Sequence, residues 1–240
     1  MVVDLFVPCY MDQFHPETAF NAIKLLEACG VTVNYQPEQT CCGKMSFETG
    51  YWDDAKVLGD RFVDIFKGSN CIIGLSTSCV SYVQSQCKSL YTNTGYHNEF
   101  QKIASNIFTI EDFLVNTLNR TDFGATYSHK AMYHDSCSAL NTYRKDLYNE
   151  PRILLENVKN LELVKTEGIS DCNGYGDLFS VKFNGISDAL IEDSITPMLS
   201  TGIDTIIVSD CGCMMNINAY IKKNNLPLSV VHIIDVLSSF

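Results

Sequence analysis

Cys41-Cys42-Gly43 sets two thiols side by side ahead of a glycine, with single cysteines upstream at Cys9 and downstream at Cys79. Adjacent cysteines suit ordinary packing poorly, because neighbouring side chains on a strand point to opposite faces. They suit a turn wrapped around a metal centre, where two thiolates of one loop reach the same group. The outline returns in the second half as Cys137, Cys172-Asn173-Gly174 and Cys213, at a nearly constant offset, with Cys211 as an extra thiol. Soft thiolates select zinc, copper(I) or iron–sulfur clusters. Structural zinc sites usually draw their ligands from close Cys-x-x-Cys-type pairs. Here one pair is adjacent and the other cysteines are remote in the chain, a spacing that fits a cluster held between strand-end loops. The closely spaced cysteine run of a ferredoxin cubane is absent.

The elements that must position these thiols alternate. Asp4 to Val7 is a short apolar run ending at Pro8-Cys9. Pro16 to Cys29 carries Ala19, Ile23 and Leu26 at helical spacing and stops at Gly30. Val31 to Tyr35 reads as a second strand, Asp54 to Phe66 as a helix, and Cys71 to Leu75 as a buried parallel strand that delivers Cys79, with the next helix expected near Val80. Ala131 to Cys137, Leu161 to Val164 and Asp204 to Cys213 repeat this order, and Ile110-Glu-Asp-Phe-Leu returns as Ile233-Ile-Asp-Val-Leu. A long-period repeat of this kind is an internal duplication. The expected fold is α/β, two duplicated Rossmann-like parallel-sheet halves, residues 1–125 and 126–240, with the metal-site cysteines at strand C-terminal ends, where such folds gather ligands. Gly43 and Gly174 each close a cysteine turn and let the backbone fold tightly around a cofactor or a turn.

Bulk composition narrows the functional classes. The 240 residues carry 28 acidic against 17 basic side chains, a net charge of −11, which argues against nucleic acid as a partner. No run approaches the length of a membrane-spanning helix. The N-terminal residues lack a basic n-region and a small-residue cleavage site, so the chain is expected to be cytoplasmic. Eleven cysteines in such a chain point to metal or redox chemistry rather than a disulfide framework. Cys29, Cys71 and Cys87 fall outside both cysteine sets and read as small core hydrophobes.

Taken together, Pro37-Glu-Gln-Thr-Cys-Cys-Gly, His134-Asp-Ser-Cys, Phe179-Ser-Val-Lys-Phe and Gly212-Cys-Met make the chain resemble the duplicated cysteine-rich CCG domain family. That family includes the cysteine-rich subunit of heterodisulfide reductase and the iron–sulfur subunit of glycolate oxidase, and in size and sequence the chain looks like its lactate utilization protein A group. The resemblance implies an iron–sulfur electron-transfer subunit in oxidation of a 2-hydroxy acid, L-lactate to pyruvate. It would work with other subunits of the complex, among them a ferredoxin-like iron–sulfur subunit. The implied cofactor is a [4Fe-4S] cluster, one or two per chain. Its first ligand set would be Cys9, Cys41, Cys42 and Cys79. The second would be Cys137, Cys172 and Cys213, with Cys211 as a candidate replacement for the thiol missing at Asn173. Spacing two residues apart on a strand would put Cys211 and Cys213 on one side. Ser76 stands where the heterodisulfide reductase branch begins a closing Cys-x-x-Cys, which leaves a five-thiolate non-cubane cluster without its fifth ligand. Two other readings stay open: a thiol–disulfide reductase subunit and a zinc-binding structural module.

Overall fold

Short, fully apolar runs alternate with amphipathic stretches, and the computed structural model, which describes residues 1–137, 149–164 and 172–240, resolves them into two parallel sheets. The chain divides into two units, Met1–Thr117 and Leu118–Phe240. In the first, strands β1 (Val2–Phe6), β2 (Thr32–Tyr35), β3 (Ile72–Gly74) and β4 (Ile107–Thr109) form a four-stranded sheet in the order β2-β1-β3-β4. The second unit repeats it with β5 (Lys130–His134), β6 (Glu162–Leu163), β7 (Thr205–Val208) and β8 (Ser229–His232), ordered β6-β5-β7-β8. All six pairings are parallel. The duplicated Rossmann-like α/β expectation therefore holds.

Strand order creates a place for chemistry. The chain leaves β1 to build β2 on one side, then crosses back to place β3 on the other. That reversal opens a crevice beyond the carboxyl ends of the two central strands, where open α/β sheets bind ligands. Leu5 pairs with Ile73 and Phe6 with Gly74, so the ends of β1 and β3 are level. In the second unit His134 pairs with Val208, and the ends of β5 and β7 are level too.

Helices cover the first sheet: α1 (Cys9–Phe14), α2 (Pro16–Ala28), α3 (Lys44–Glu48), α4 (Trp52–Phe66), α5 (Thr77–Gln84), α6 (His97–Asn106) and α7 (Ile110–Asp112), the last running on as a wider π turn to Thr117. α2 and α4 lie where the 3.6-residue period placed them. Their apolar faces bury Leu25, Leu26, Phe62, Val63 and Phe66. Phe6, at the end of β1, sits edge-on to Phe62 and Phe66 with ring centroids 5.0 and 6.0 Å away. The second unit carries α8 (Glu150–Leu155), α9 (Leu178–Lys182), α10 (Asn184–Leu199), α11 (Cys211–Asn224) and α12 (Ile233–Leu237) among its described residues. The repeated Ile110 and Ile233 segments each open a short helix directly after an edge strand. Cys71 and Cys87 are buried in the core as expected, while Cys29 closes α2 half-buried.

Two expectations need correction. The helix after β3 begins at Thr77, not near Val80, so Cys79 lies inside its first turn. β7 ends at Val208, and Cys211 and Cys213 both belong to α11 rather than to a strand. Residues two positions apart on a helix are separated by about 200° of rotation, so these thiols point to opposite sides. The apolar run Ile206 to Val208 reads continuously into Cys211, but Asp210 stops it: its carboxylate accepts the backbone N–H of Cys213 at 3.0 Å and caps the helix. Among the described residues no helix is long and apolar enough to cross a membrane.

Candidate metal centre

Cys9 lies three residues beyond the end of β1 and opens α1, while Cys79 lies five beyond β3 in the first turn of α5. Sheet order alone makes these distant residues neighbours, since β1 and β3 are hydrogen-bonded partners. Cys41 and Cys42 come from the loop after β2 and must be carried across the strand ends to meet them. Gln39 does this. Its side-chain oxygen accepts the Val7 N–H at 2.7 Å, and its amide nitrogen donates to the carbonyls of Leu5 and Gln36, each at 3.1 Å. The loop is thereby laced to the end of β1 as though it were one more turn of sheet. Gly43 then reverses the chain at φ +88°, where a β-carbon would stand 3.1 Å from the Ala55 carbonyl oxygen. Its N–H donates to the Cys41 sulfur at 3.4 Å.

The result is a row of thiols in successive contact: Cys9 on Cys41, Cys41 on Cys42, Cys42 on Cys79. Cys42 is buried and the other three are half-buried, so the row is reached from one side. Among the described residues no group of three or more His, Cys, Asp or Glu side chains is gathered closely enough to hold a metal ion as it stands. Thiol hydrogen bonds polarise the row. Cys41 accepts from Cys42 and Cys9 and is held down to about 3, with Gly43 N–H and Lys44 adding to the effect. Cys9 is pushed far up, first by donating to Cys41 and then by burial, and Cys42 first by its bond to Cys41, then by its bond with Cys79 and by burial. The metal-free row therefore favours a thiolate at Cys41 with protons on Cys9 and Cys42, and metal loading must expel those protons.

In the second unit Cys137 follows β5 by three residues and Cys213 follows β7 by five, the same offsets as in the first. The turn carrying Cys137 is clamped by Arg152, whose guanidinium donates to both carboxylate oxygens of Asp135, one of them at 2.9 Å, and lies 5.2 Å from the Tyr133 ring centroid. Tyr133 in turn donates to Ser209 at 2.9 Å, tying β5 to the end of β7. Cys137 donates to Cys172, which is pulled down to about 6, chiefly by that bond. Cys137 itself is pushed far up, first by the same bond and then by burial. Cys213 is buried and also pushed up, by burial first and the Asp210 carboxylate second. Gly174, at φ +67°, leaves no room for a side chain: a β-carbon would lie 2.9 Å from Leu190 and 3.1 Å from the Ser187 backbone.

The Cysteine-rich domain family, CCG, matches residues 3–84 and again 131–218. The chain belongs to the CCG family. Its relatives include lactate utilization protein A of Bacillus licheniformis, 33% identical over 239 residues and covering 100% of both chains. That of Shouchella clausii is 34% identical over 100% of this chain and 99% of its own, and lactate utilization protein A 2 of Bacillus cereus is 30% identical over 99% and 98%. The chain is thus a member of the lactate utilization protein A family as well.

Both CCG halves use parts that the cysteine spacing alone does not reveal. Gln39 and the Arg152–Asp135 pair position thiol-bearing turns without carrying thiols themselves. Asp210 carries the usual N-cap signal, an Asp immediately before a helix, which the strand reading of this run passed over. Short α1 and α3 fall below the length at which periodicity is readable.

Two measurements check this geometry. Gln39→Ala strands the Val7 N–H and the Leu5 carbonyl and lowers unfolding free energy by about 1–3 kcal/mol; a urea titration reads the loss, and an unchanged midpoint contradicts the lacing role. In the metal-free protein, exposed Cys172 is alkylated by iodoacetamide with a rate that falls as pH drops through about 6. The thiolate is the nucleophile, so a depressed folded value keeps Cys172 reactive at neutral pH. Peptide mapping by mass spectrometry follows it, and a profile centred near the ordinary thiol value of 9.0 refutes the Cys137 contact.

Proposed function

We propose that this CCG protein is an iron–sulfur electron-transfer subunit serving oxidation of a 2-hydroxy acid, L-lactate in the first instance, with substrate oxidation carried out by partner subunits. The observation that carries the reading is the row of four soft thiols at the crevice between β1 and β3. An open row suits a polynuclear cluster spread over several ångströms. A single zinc ion needs all its sulfurs about 2.3 Å from one point. Cys9, Cys41, Cys42 and Cys79 would hold such a group, and Gly43 brings a backbone donor to the Cys41 sulfur. When bound, an iron–sulfur cluster supplies one-electron transfer. The residues themselves supply the rest. Cys79 sits in the first turn of α5 and meets Cys42 at the end of the row. Lys44 sets a positive charge near Cys41. Burial of Cys42 keeps water from the middle of the row. The names of the relatives, lactate utilization protein A, support lactate as the source of electrons.

Anaerobic purification with iron, sulfide and zinc determinations tests the proposal. Iron and sulfide in equal amounts, reduced by dithionite and reoxidised by an acceptor, with no lactate oxidation by the chain alone, is the expected result. Zinc without iron after anaerobic reconstitution, or lactate turnover by the isolated chain, overturns it.

A further inference from the structure

The second CCG half differs from the first at one position of its cysteine turn, where Asn173 stands in place of the second thiol. Asn173 is buried, with 2% of its surface exposed. Its side-chain oxygen accepts the Tyr175 N–H at 3.1 Å, closing the turn, and its own carbonyl accepts from the Asn216 amide at 2.9 Å. Its amide nitrogen lies 3.5 Å from the Cys213 carbonyl oxygen and reaches the Cys213 sulfur as a donor, beside Ser136. Both ends of the amide are engaged, with the N–H side turned toward the thiol. Cys211 does not take the fourth place, because α11 turns it away from Cys213.

We infer that Asn173 makes the second half a three-thiolate iron–sulfur site, held by Cys137, Cys172 and Cys213, in which the amide donates to the Cys213 sulfur and leaves one iron corner without a protein thiolate. This rests on the iron–sulfur reading of the chain. A corner lacking a thiolate is open to water or a small oxygen-donor ligand and gives up its iron readily. A neutral donor in place of an anionic ligand also removes negative charge and hydrogen-bonds a sulfur, both of which raise the reduction potential.

The test uses the full chain, reconstituted anaerobically, as wild type, Cys42→Ser, Cys137→Ser, and Cys42→Ser combined with Asn173→Cys or Asn173→Ala. Cys42→Ser silences the first half, so its remaining iron reports on the second. On stoichiometric ferricyanide this variant is expected to release one ferrous ion per chain while ferricyanide gains one electron, leaving a three-iron centre with its paramagnetic signal. Adding Asn173→Cys abolishes both the loss and the signal. Asn173→Ala keeps the labile iron but lowers the midpoint potential, a shift that a merely structural asparagine does not produce. Cys137→Ser that leaves the iron content at the wild-type value overturns the inference and leaves the proposed function standing. So does a Cys42→Ser variant that keeps all its iron through oxidation with or without Asn173→Cys. Wild type devoid of iron removes the proposed function itself.

Discussion

Cys42→Ser empties the first half of iron while the fold survives. The thiol is the middle link of the row, touching both Cys41 and Cys79, and it is buried, so no outside ligand replaces it. Serine matches the shape but is a hard, poorly acidic donor and a weak replacement for a thiolate at an iron–sulfur site. The expected result is loss of all iron and sulfide assigned to Cys9, Cys41, Cys42 and Cys79, with far-ultraviolet circular dichroism unchanged. Full iron content in Cys42→Ser excludes this row as the binding site.

Phe6→Ala lowers the unfolding free energy by about 3–5 kcal/mol. Phe6 is fully buried at the last position of β1, edge-on to Phe62 and Phe66 of α4, which contact one another at 4.7 Å. Truncation removes the ring that joins sheet to helix and opens a cavity three residues before Cys9. An effect of that size removes about a fifth or more of a typical domain's stability. Denaturant unfolding at constant m-value measures it. The same core lies behind Cys42, which packs in one cluster with Phe6, Val80 and Tyr82. Iron uptake at a temperature where the variant is still folded therefore falls as well. A shift below about 1 kcal/mol contradicts the role given to this trio.

These two residues illustrate different depths of legibility. Phe6 as core and Cys42 as ligand candidate are both plain in the sequence, because apolar runs and adjacent cysteines are local patterns. The duplication was equally plain, since Cys9, Cys41 and Cys79 recur as Cys137, Cys172 and Cys213 in the same order among the same alternating elements. Alternation of strand and helix with long crossovers implies parallel sheets, and two four-stranded parallel sheets are present.

The tertiary structure decided which thiols meet and what surrounds them. Cys9 and Cys79 reach the same crevice because β1 and β3 share a ladder while β2 lies on the far side, an order set by crossover handedness and burial rather than by any local pattern. The gap between Cys41 and the end of β1 is bridged by Gln39, a polar residue whose partners are backbone atoms more than thirty positions away. Cys211 and Cys213 looked like neighbours on a strand. A single carboxylate, Asp210, satisfying a helix N–H turned them to opposite faces. The chain's own residues thus specify the candidate thiols and the repeat. Only folding, which pairs distant strands and satisfies buried backbone groups, determines that four thiols form one row in the first half while Asn173 is hydrogen-bonded to Tyr175, Asn216 and Cys213 in the second.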